Sequence, residues 1–135
     1  MDISFHENAD INANELNHLF KLIGWDRKDR RTEPETRAML ESSLFYVHAT
    51  VEDTIVGFAR LIGDSYSAYV VDVITHPDFR NREIASTCMS HAENYIRQKN
   101  FISVYLLDDS GISNFYSKFG FEVISDKPMK WRGGT

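Results

Sequence analysis

The feature that most constrains the fold is a set of three strand-like segments between residues 44 and 75. Their sequences are "LFYVHATV", "TIVGFARLI" and "YSAYVVDVIT". All three are rich in β-branched and aromatic residues, and only the short turns "ED" and "GDS" separate them. Connections this short join neighbouring antiparallel strands. The sequence therefore predicts an antiparallel meander in the middle of a sheet.

Before the meander the sequence predicts a short strand, around Ile3 to Phe5, followed by segments with helical periodicity. In "NANELNHLFKLIGW" the apolar residues share one helical face, Asn12 and Glu15 have the spacing of a capping box, and Gly24 ends the helix. A second helix is predicted near "TEPETRAMLESS", where Thr32 is the cap and Pro34 suits the first turn. Two helices therefore precede the meander.

A strand, a helix and a strand follow one another after the meander. A helix is predicted from Arg82 to Lys99, followed by the buried strand "FISVYLL", which indicates a right-handed parallel crossover. A short helix in "GISNFYSKFGF" would turn Ile112, Phe115 and Phe119 inward and end at Gly120. Terminal strands are predicted near Phe121 to Ile124 and Met129 to Arg132.

Together these elements predict an α/β (α+β) fold. Its sheet would be mixed, mostly antiparallel and six- to seven-stranded, with about four helices on its faces. A length of 135 residues fits one domain over residues 1–135 and is too short for two ordinary ones.

Charge and composition exclude several classes of function. A net charge of −5 argues against nucleic acid as a partner, because proteins that bind phosphate backbones carry a broad basic face. No apolar run approaches the roughly 18 residues of a membrane span, and the first residues lack the features of a signal peptide. Cys88 is the single cysteine, so a disulfide within the chain is excluded and a cytoplasmic location is expected.

The stretch "THPDFRNREIAS" is a candidate anion site, because a strand there runs through a tight turn into a helix. The first amides of a helix have no partner within it and point toward an anion. Arg80 and Arg82 add positive charge to an otherwise acidic chain. Taken alone, two arginines at a helix start are more often solvated charges.

The order of elements, "YVVDVITHPDFRNREIA" and "NFYSKFGFEV" together resemble the GNAT superfamily, the acyl-CoA-dependent N-acetyltransferases. The specific match covers roughly Thr54 to Val123. In that family an Arg/Gln-x-x-Gly-x-Gly/Ala turn surrounds the cofactor pyrophosphate with backbone amides. The resemblance implies that these positions, and Ser86 after them, bind acetyl-CoA; in this chain they are Arg80, Asn81, Arg82, Glu83, Ile84 and Ala85.

Glu83 stands where the family's first glycine is expected. A glycine would let the backbone approach the phosphates, whereas a glutamate adds bulk and negative charge. At ~6 Å, each pair of like unit charges costs roughly 0.7 to 2.8 kcal/mol, depending on the effective dielectric constant. An acidic residue also stabilises a helix start, so capping is the alternative role. We expect weakened but retained binding.

The resemblance assigns further residues to the cofactor and to catalysis. It implies that the strand ending "VVDVIT" separates from "FISVYLL", so that pantetheine pairs with the main chain near Val73 and Thr75. In "NFYSKFGF", the residue matching Asn114 hydrogen-bonds the cofactor, and the tyrosine matching Tyr116 protonates the CoA thiolate. A phenol remains protonated at pH 7 and can make this transfer.

Two further residues are candidates on the side of the amine acceptor. Asp72 lies in an otherwise apolar strand and is the candidate general base, with a hydrogen-bonded structural carboxylate as an equal alternative. Trp25 lies in "GWDRKDRRTEPE", a region that lines the acceptor pocket in relatives. It is the candidate substrate-binding residue, although a solvated loop is the more common role of such a segment.

The resemblance implies direct transfer of acetyl from acetyl-CoA to a primary amine of a small molecule or peptide, and no metal is expected. The five histidines have no metal-ligand spacing, and Cys88 fits a core position. The alternative is a non-catalytic GNAT-fold module that senses CoA or binds a partner, which Glu83 favours and Asn114 with Tyr116 disfavours. Relatives often pair through late strands, and the tail "MKW" would be available for a homodimer.

Overall fold

The computed structural model describes residues 2–108, 111 and 113–133. These residues form five strands and four α-helices. They are, in order, β1 (Ser4–Glu7), α1 (Ala13–Leu22), α2 (Glu33–Glu41), β2 (Phe45–Val51), β3 (Thr54–Gly63), β4 (Ser67–Thr75), α3 (Ile84–Gln98), β5 (Ser103–Leu106) and α4 (Ser113–Ser117). A single turn of 3₁₀ helix, Pro77–Phe79, connects β4 to the segment before α3.

The five strands form one sheet in the order β1-β2-β3-β4-β5. All neighbours are antiparallel except β4 and β5, which are parallel and joined by α3. The meander β2-β3-β4 and the parallel crossover predicted from the sequence are therefore confirmed, as is the α/β fold class.

The prediction of six to seven strands was wrong, because the described part of the chain forms five. Neither Phe121 to Ile124 nor Met129 to Arg132 is a strand. Val123, Met129 and Trp131 are largely exposed, so no packed surface favours an extended pairing there. Strand formation depends on cross-strand contacts more than on residue type, and neither segment pairs with a strand among the described residues, although Phe121 packs against the core.

Each face of the sheet buries its own apolar cluster. On one face α3 packs Ile84, Cys88 and Met89 against strand residues that include Val47 and Leu61. On the other face α1 and α2 cover the sheet, and the fully buried side chains there are Leu16, Leu19, Phe20 and Phe58. The sheet is thus the central layer between helices, and its two ends remain available for sites.

Local capping explains where the first helices begin. The Asn12 side chain accepts a hydrogen bond from the Glu15 amide at 3.1 Å, and the Thr32 hydroxyl oxygen accepts one from the Glu35 amide at 3.4 Å. Both caps satisfy amides that have no partner within the helix. Phe115 of the last helix and Phe119 in the turn after it pack ring against ring at 5.4 Å, whereas Ile112 lies outside the described residues.

Candidate active site

A cleft opens where β4 and β5 stop pairing. The parallel register runs from Ser67 opposite Ser103 to Val70 opposite Leu106, and β4 then continues to Thr75 paired with β3 only. The space beside this free part of β4 is a cavity of about 770 Å³, which we call the β4–β5 cleft. Its lining residues are Trp25, Ile62, Tyr69, Val70, Val71, Asp72, Val73, Thr75, Ala85, Leu106, Leu107, Phe115 and Tyr116.

At Asp72 a β-bulge in the pairing with β3 bends β4 away from β5. Ile74 lies opposite Phe58, but Val71 lies opposite Arg60, so β4 carries one extra residue between these pairs. Asp72 takes the left-handed conformation, with φ of 56°. Bulges bend a strand and increase its twist. This bend is a local cause of the opening, since it lies just after the last β4–β5 pair.

The Asp72 carboxylate is held by an arginine on the neighbouring strand. Arg60 donates from Nε to Asp72 Oδ2 at 2.9 Å, and a terminal nitrogen of the guanidinium lies 2.9 Å from the same oxygen in an ion pair; both side chains are largely buried. Arg60 also donates to the Ser43 hydroxyl at 3.3 Å. Asp72 thus borders the cleft as one member of an ion pair, a contact that fits the structural alternative as well as a role in proton transfer.

The turn before α3 contains two residues in the left-handed conformation. Asn81 has φ of 64° and Glu83 has φ of 59° with ψ of 26°. Glycine adopts this conformation at no steric cost, whereas a residue with a Cβ is disfavoured. The backbone at residue 83 therefore has a conformation suited to the glycine of the GNAT turn, although a glutamate occupies the position.

The start of α3 lacks a side-chain cap. Glu83 is the N-cap residue, and no side chain there accepts a hydrogen bond from the first turn. The first helical bond runs from the Thr87 amide to the Glu83 carbonyl at 3.0 Å. Amides before Thr87 therefore have no acceptor within the helix. The predicted capping role of the Glu83 side chain is absent, and the side chain is exposed.

Gly57 sets how closely α3 approaches the sheet, and sequence reasoning missed it. Gly57 lies on β3 opposite Thr75, and a Cβ built there would overlap the Ile84 side-chain methyl in the first turn of α3. A glycine inside an apolar strand is the signal that could have indicated this close approach. Gly57 therefore positions the uncapped amides beside the end of β4.

The last helix contributes to the cleft from the β5 side. Tyr116 lines the β4–β5 cleft together with Leu106 and Phe115. Asn114 is exposed and lines a neighbouring cavity of about 590 Å³, which Tyr116 also borders. Tyr116 thus lies between the two spaces, and Asn114 faces the outer one.

The loop between α1 and α2 brings Trp25 to the cleft. The buried Asp26 carboxylate accepts hydrogen bonds from the Arg30 and Arg31 amides at 2.8 and 3.2 Å. The Arg31 guanidinium lies 3.6 Å from the centre of the Phe20 ring. These contacts, which sequence reasoning missed, hold the loop in a defined shape. Trp25 lies on the rim of the cleft and is 47% exposed.

The predicted site residues therefore fall into two groups. Those that border the cleft are Trp25, Asp72, Val73, Thr75, Ala85 and Tyr116. Those outside it are the exposed turn residues Arg80, Asn81, Arg82 and Glu83, the buried Ile84, the half-buried Ser86, and Asn114. No ion pair joins Glu83 to either arginine in the described part of the chain.

The structure places Cys88 in the core. Cys88 is fully buried, and burial raises the pKa of its thiol to about 12, so it is a protonated core residue.

Within residues 2–108, 111 and 113–133, no three His, Cys, Asp or Glu side chains come together as metal ligands. The same residues contain no helix that is long and apolar enough to cross a membrane.

Comparison with known proteins defines the class of this chain. Residues 12–121 match the family model described as the acetyltransferase (GNAT) family. The chain belongs to this family, which confirms the resemblance found in the sequence.

Individual relatives agree with that assignment. An uncharacterized N-acetyltransferase, ycf52, of Gracilaria tenuistipitata var. liui is 29% identical over 129 residues, covering 92% of this chain and 70% of its own length. A GNAT-family acetyltransferase of Streptococcus pneumoniae superposes with a TM-score of 0.80 at 26% identity, covering 99% of this chain and all of that one. An acetyltransferase of Clostridium acetobutylicum, solved with acetyl-CoA, has the same fold, with a TM-score of 0.73, 17% identity and 96% of each chain covered.

Proposed function

We propose that this protein transfers an acetyl group from acetyl-CoA to a primary amine of a small molecule or peptide by direct attack. The observation that carries the proposal is the meeting of three features at one place. They are the cleft left by the separation of β4 from β5, the uncapped start of α3, and Tyr116 on the opposite wall. Family membership and a relative solved with acetyl-CoA support the choice of acyl donor.

The residues before and in the first turn of α3 would hold the pyrophosphate. Amides that lack acceptors within a helix, together with the helix dipole, favour an anion at this point. The left-handed backbone at Asn81 and Glu83 supports this role, because it is the conformation a phosphate-binding turn needs. Arg80 and Arg82 would add positive charge, and Glu83 would reduce the affinity.

The free part of β4 would align the acyl donor. Among the residues that the structure describes, none pairs with β4 beyond Val70 on the β5 side, so the amides and carbonyls there can pair with an extended ligand. Val73 and Thr75 are the proposed contacts, with Asn114 as a further hydrogen-bonding residue on the outer side. A main-chain amide near Val73 would stabilise negative charge on the carbonyl oxygen as the amine attacks.

Tyr116 would act as the general acid. Acetyl-CoA supplies an acetyl group activated as a thioester. The amine nitrogen forms a bond to the acetyl carbon, the carbon–sulfur bond breaks, and the Tyr116 hydroxyl gives its proton to sulfur. The amine proton leaves to Asp72, directly or through water. Trp25 would contact the body of the amine, and most of the rate acceleration would come from positioning.

The proposal is tested by measuring thiol release from acetyl-CoA with a panel of amines, alongside a thermal shift with CoA. Tyr116→Phe is expected to lower the rate about tenfold or more while CoA affinity stays within a few fold. Tyr66→Phe is the matched control, because Tyr66 is exposed in the β3–β4 turn, away from the cleft. An unchanged rate in Tyr116→Phe would remove its role as the acid.

The second candidate function is a non-catalytic CoA sensor or partner-binding module. Glu83 in the left-handed position of the turn favours it, because a carboxylate there opposes a tightly bound diphosphate. A CoA-induced thermal shift without turnover on any amine would support this alternative. Turnover that depends on Tyr116 would exclude it.

A further inference from the structure

The part of the β4–β5 cleft that remains for the acceptor has an apolar and aromatic wall. The acyl donor is assigned to the end of β4 and the start of α3. Toward the start of β4 the cleft is lined by Trp25, Ile62 and Tyr69, and the Tyr69 ring stacks on that of Tyr105 with 5.5 Å between centroids. Trp25 and Tyr69 are both exposed, so ring surface is available to a ligand. Such a wall suits an apolar body attached to the reacting amine.

This wall offers little to a second positive charge on the acceptor. Among the described residues that line the cleft, Asp72 is the one with an acidic side chain, and its carboxylate already pairs with Arg60 at 2.9 Å. An additional ammonium group would therefore lose water in the cleft without gaining a free carboxylate. Removing a charge from water without such a partner is costly. Amines that carry several positive charges are disfavoured for this reason.

A second space adjoins the cleft at Trp25, which lines both of them. Its volume is about 460 Å³, and all of its lining residues belong to the segment 24–31 between α1 and α2. We call it the loop pocket. Four of its lining residues are basic and one is acidic. A group attached to an acceptor that contacts the Trp25 indole therefore lies close to several positive charges.

The acidic residues of this loop are already engaged by other groups. Asp26 is buried and accepts hydrogen bonds from two backbone amides of the loop, and Asp29 Oδ1 lies 3.3 Å from Lys21 Nζ in an ion pair. One of the basic residues is engaged as well, because the guanidinium of Arg31 lies over the Phe20 ring. The loop is thus held from inside, and its other basic side chains point away from these contacts.

Three cationic side chains of the loop pocket remain for a ligand, those of Arg27, Lys28 and Arg30. All three are exposed, and none forms an ion pair with a carboxylate in the part of the chain that the structure describes. The Arg27 guanidinium lies beside Gly24, the residue before Trp25. In a chain with a net charge of −5, this is a local concentration of positive charge next to the acceptor end of the cleft. Such a concentration attracts an anionic group, and arginine pairs well with carboxylate and phosphate.

We propose that the acceptor is an amine whose apolar body lies on Trp25 and Tyr69 and whose far end carries a carboxylate or phosphate bound by Arg27 and Arg30. This inference rests on the acetyl transfer proposed above and names the substrate class for the same site. A small amino acid and a peptide lysine with an acidic residue near it share this chemistry. Polyamines and lysine-rich peptides are the acceptors that it disfavours.

Matched acceptors test the proposal through kcat/KM for acetyl transfer by the full chain. The small-molecule pair is 4-(2-aminoethyl)benzoate and 4-(2-aminoethyl)benzamide, which share the amine and the ring and differ in charge. The peptide pair is the capped sequence Gly-Lys-Phe-Glu and its Gln counterpart. At ~6 Å in a water-like dielectric each arginine changes affinity about threefold, so the anionic member of at least one pair should be preferred about tenfold. The pair with the larger preference identifies the source, and equal values within both pairs overturn the proposal.

Variants locate the anionic group. Arg27→Gln combined with Arg30→Gln should bring the ratio of the two kcat/KM values close to one, whereas Trp25→Ala should lower both values and keep their ratio. Lys99→Gln is the control for a lost positive charge, since Lys99 is exposed after α3 and borders neither the cleft nor the loop pocket. A preference that persists in the double variant contradicts the assignment. So does an equal loss in Lys99→Gln, or a fall in CoA affinity in place of the changed ratio.

A binding measurement separates this inference from the proposed function. In an NMR titration with CoA present, the Trp25 indole N–H signal, identified by its loss in Trp25→Phe, should shift saturably. The midpoint for the anionic member of one pair should be about tenfold lower than that for its neutral partner. Absence of turnover with every amine would contradict the proposed function, and the titration would still decide the acceptor class. Equal midpoints within both pairs, or no shift with any probe, overturn the inference.

Discussion

Replacing Glu83 by glycine tests the phosphate turn through two separate effects. The first effect is on stability. Glu83 has φ of 59°, a conformation that costs an L residue roughly 1 to 2 kcal/mol, and glycine adopts it freely. Glycine also loses more entropy on folding, which takes back about half of that gain. A net stabilisation of about 0.5 to 1 kcal/mol is expected, which corresponds to about 2–3 °C in Tm for a chain of this size.

The second effect of Glu83→Gly is on cofactor affinity. The Glu83 side chain is exposed, so a water-like dielectric applies and each carboxylate–phosphate charge pair at ~6 Å costs about 0.7 kcal/mol. Two phosphate charges give about 1.4 kcal/mol, or about a tenfold gain in CoA affinity for the variant. The gain should shrink at high ionic strength, because salt screens exposed charges.

A second substitution separates charge from backbone. Glu83→Gln removes the charge and keeps the Cβ, so it should recover most of the affinity and little of the stability. Thermal unfolding gives the stability, and titration calorimetry with CoA at low and high salt gives the affinity. Unchanged or weaker CoA binding by Glu83→Gly would refute the electrostatic reasoning, and an unchanged Tm would refute the claim of backbone strain.

Three further predictions concern other parts of the molecule. Gly57→Ala should displace the start of α3, because the new Cβ overlaps Ile84, and should weaken CoA binding about tenfold in calorimetry; wild-type affinity would contradict this. His48 contributes to the free energy of unfolding above pH 6.5, and this contribution is lost as the pH falls toward the pKa of about 4 that burial gives His48 in the folded protein. Urea unfolding at about pH 5 should therefore show a free energy of unfolding that is lower by about 1 to 2 kcal/mol, a loss that His48→Gln lacks. An equal loss in both proteins would contradict it. Asp72→Asn should remove the acidic limb of the pH–rate profile if Asp72 is the base, whereas a uniformly lower rate with an unchanged profile would assign it a structural role beside Arg60.

Features of the fold that depend on local chemistry were predictable from the sequence. Asn12 and Thr32 cap their helices because a cap needs only a neighbouring amide. The meander was predicted from its short turns, since short connections leave few alternative strand pairings. The terminal strands were predicted from residue type alone and were wrong, because Phe121 to Ile124 and Met129 to Arg132 find no partner strand.

Features of the candidate site that depend on distant contacts were only partly predictable. The resemblance to the GNAT superfamily indicated Tyr116, and the apolar strand around it indicated Asp72; both line the cleft. The ion pair of Asp72 with Arg60 and the close approach of Gly57 to Ile84 join residues that are far apart in the chain. Such contacts arise from strand register, which a single sequence does not specify.

The central claim is that acetyl-CoA lies between the separated strands with its diphosphate on the first amides of α3. An NMR titration of the ¹⁵N-labelled chain with acetyl-CoA tests this most directly. The account predicts saturable shifts at the amides of Ile84, Ala85 and Ser86, accompanied by Val73 on β4. Saturable shifts confined to other regions, or none at millimolar ligand, would contradict it.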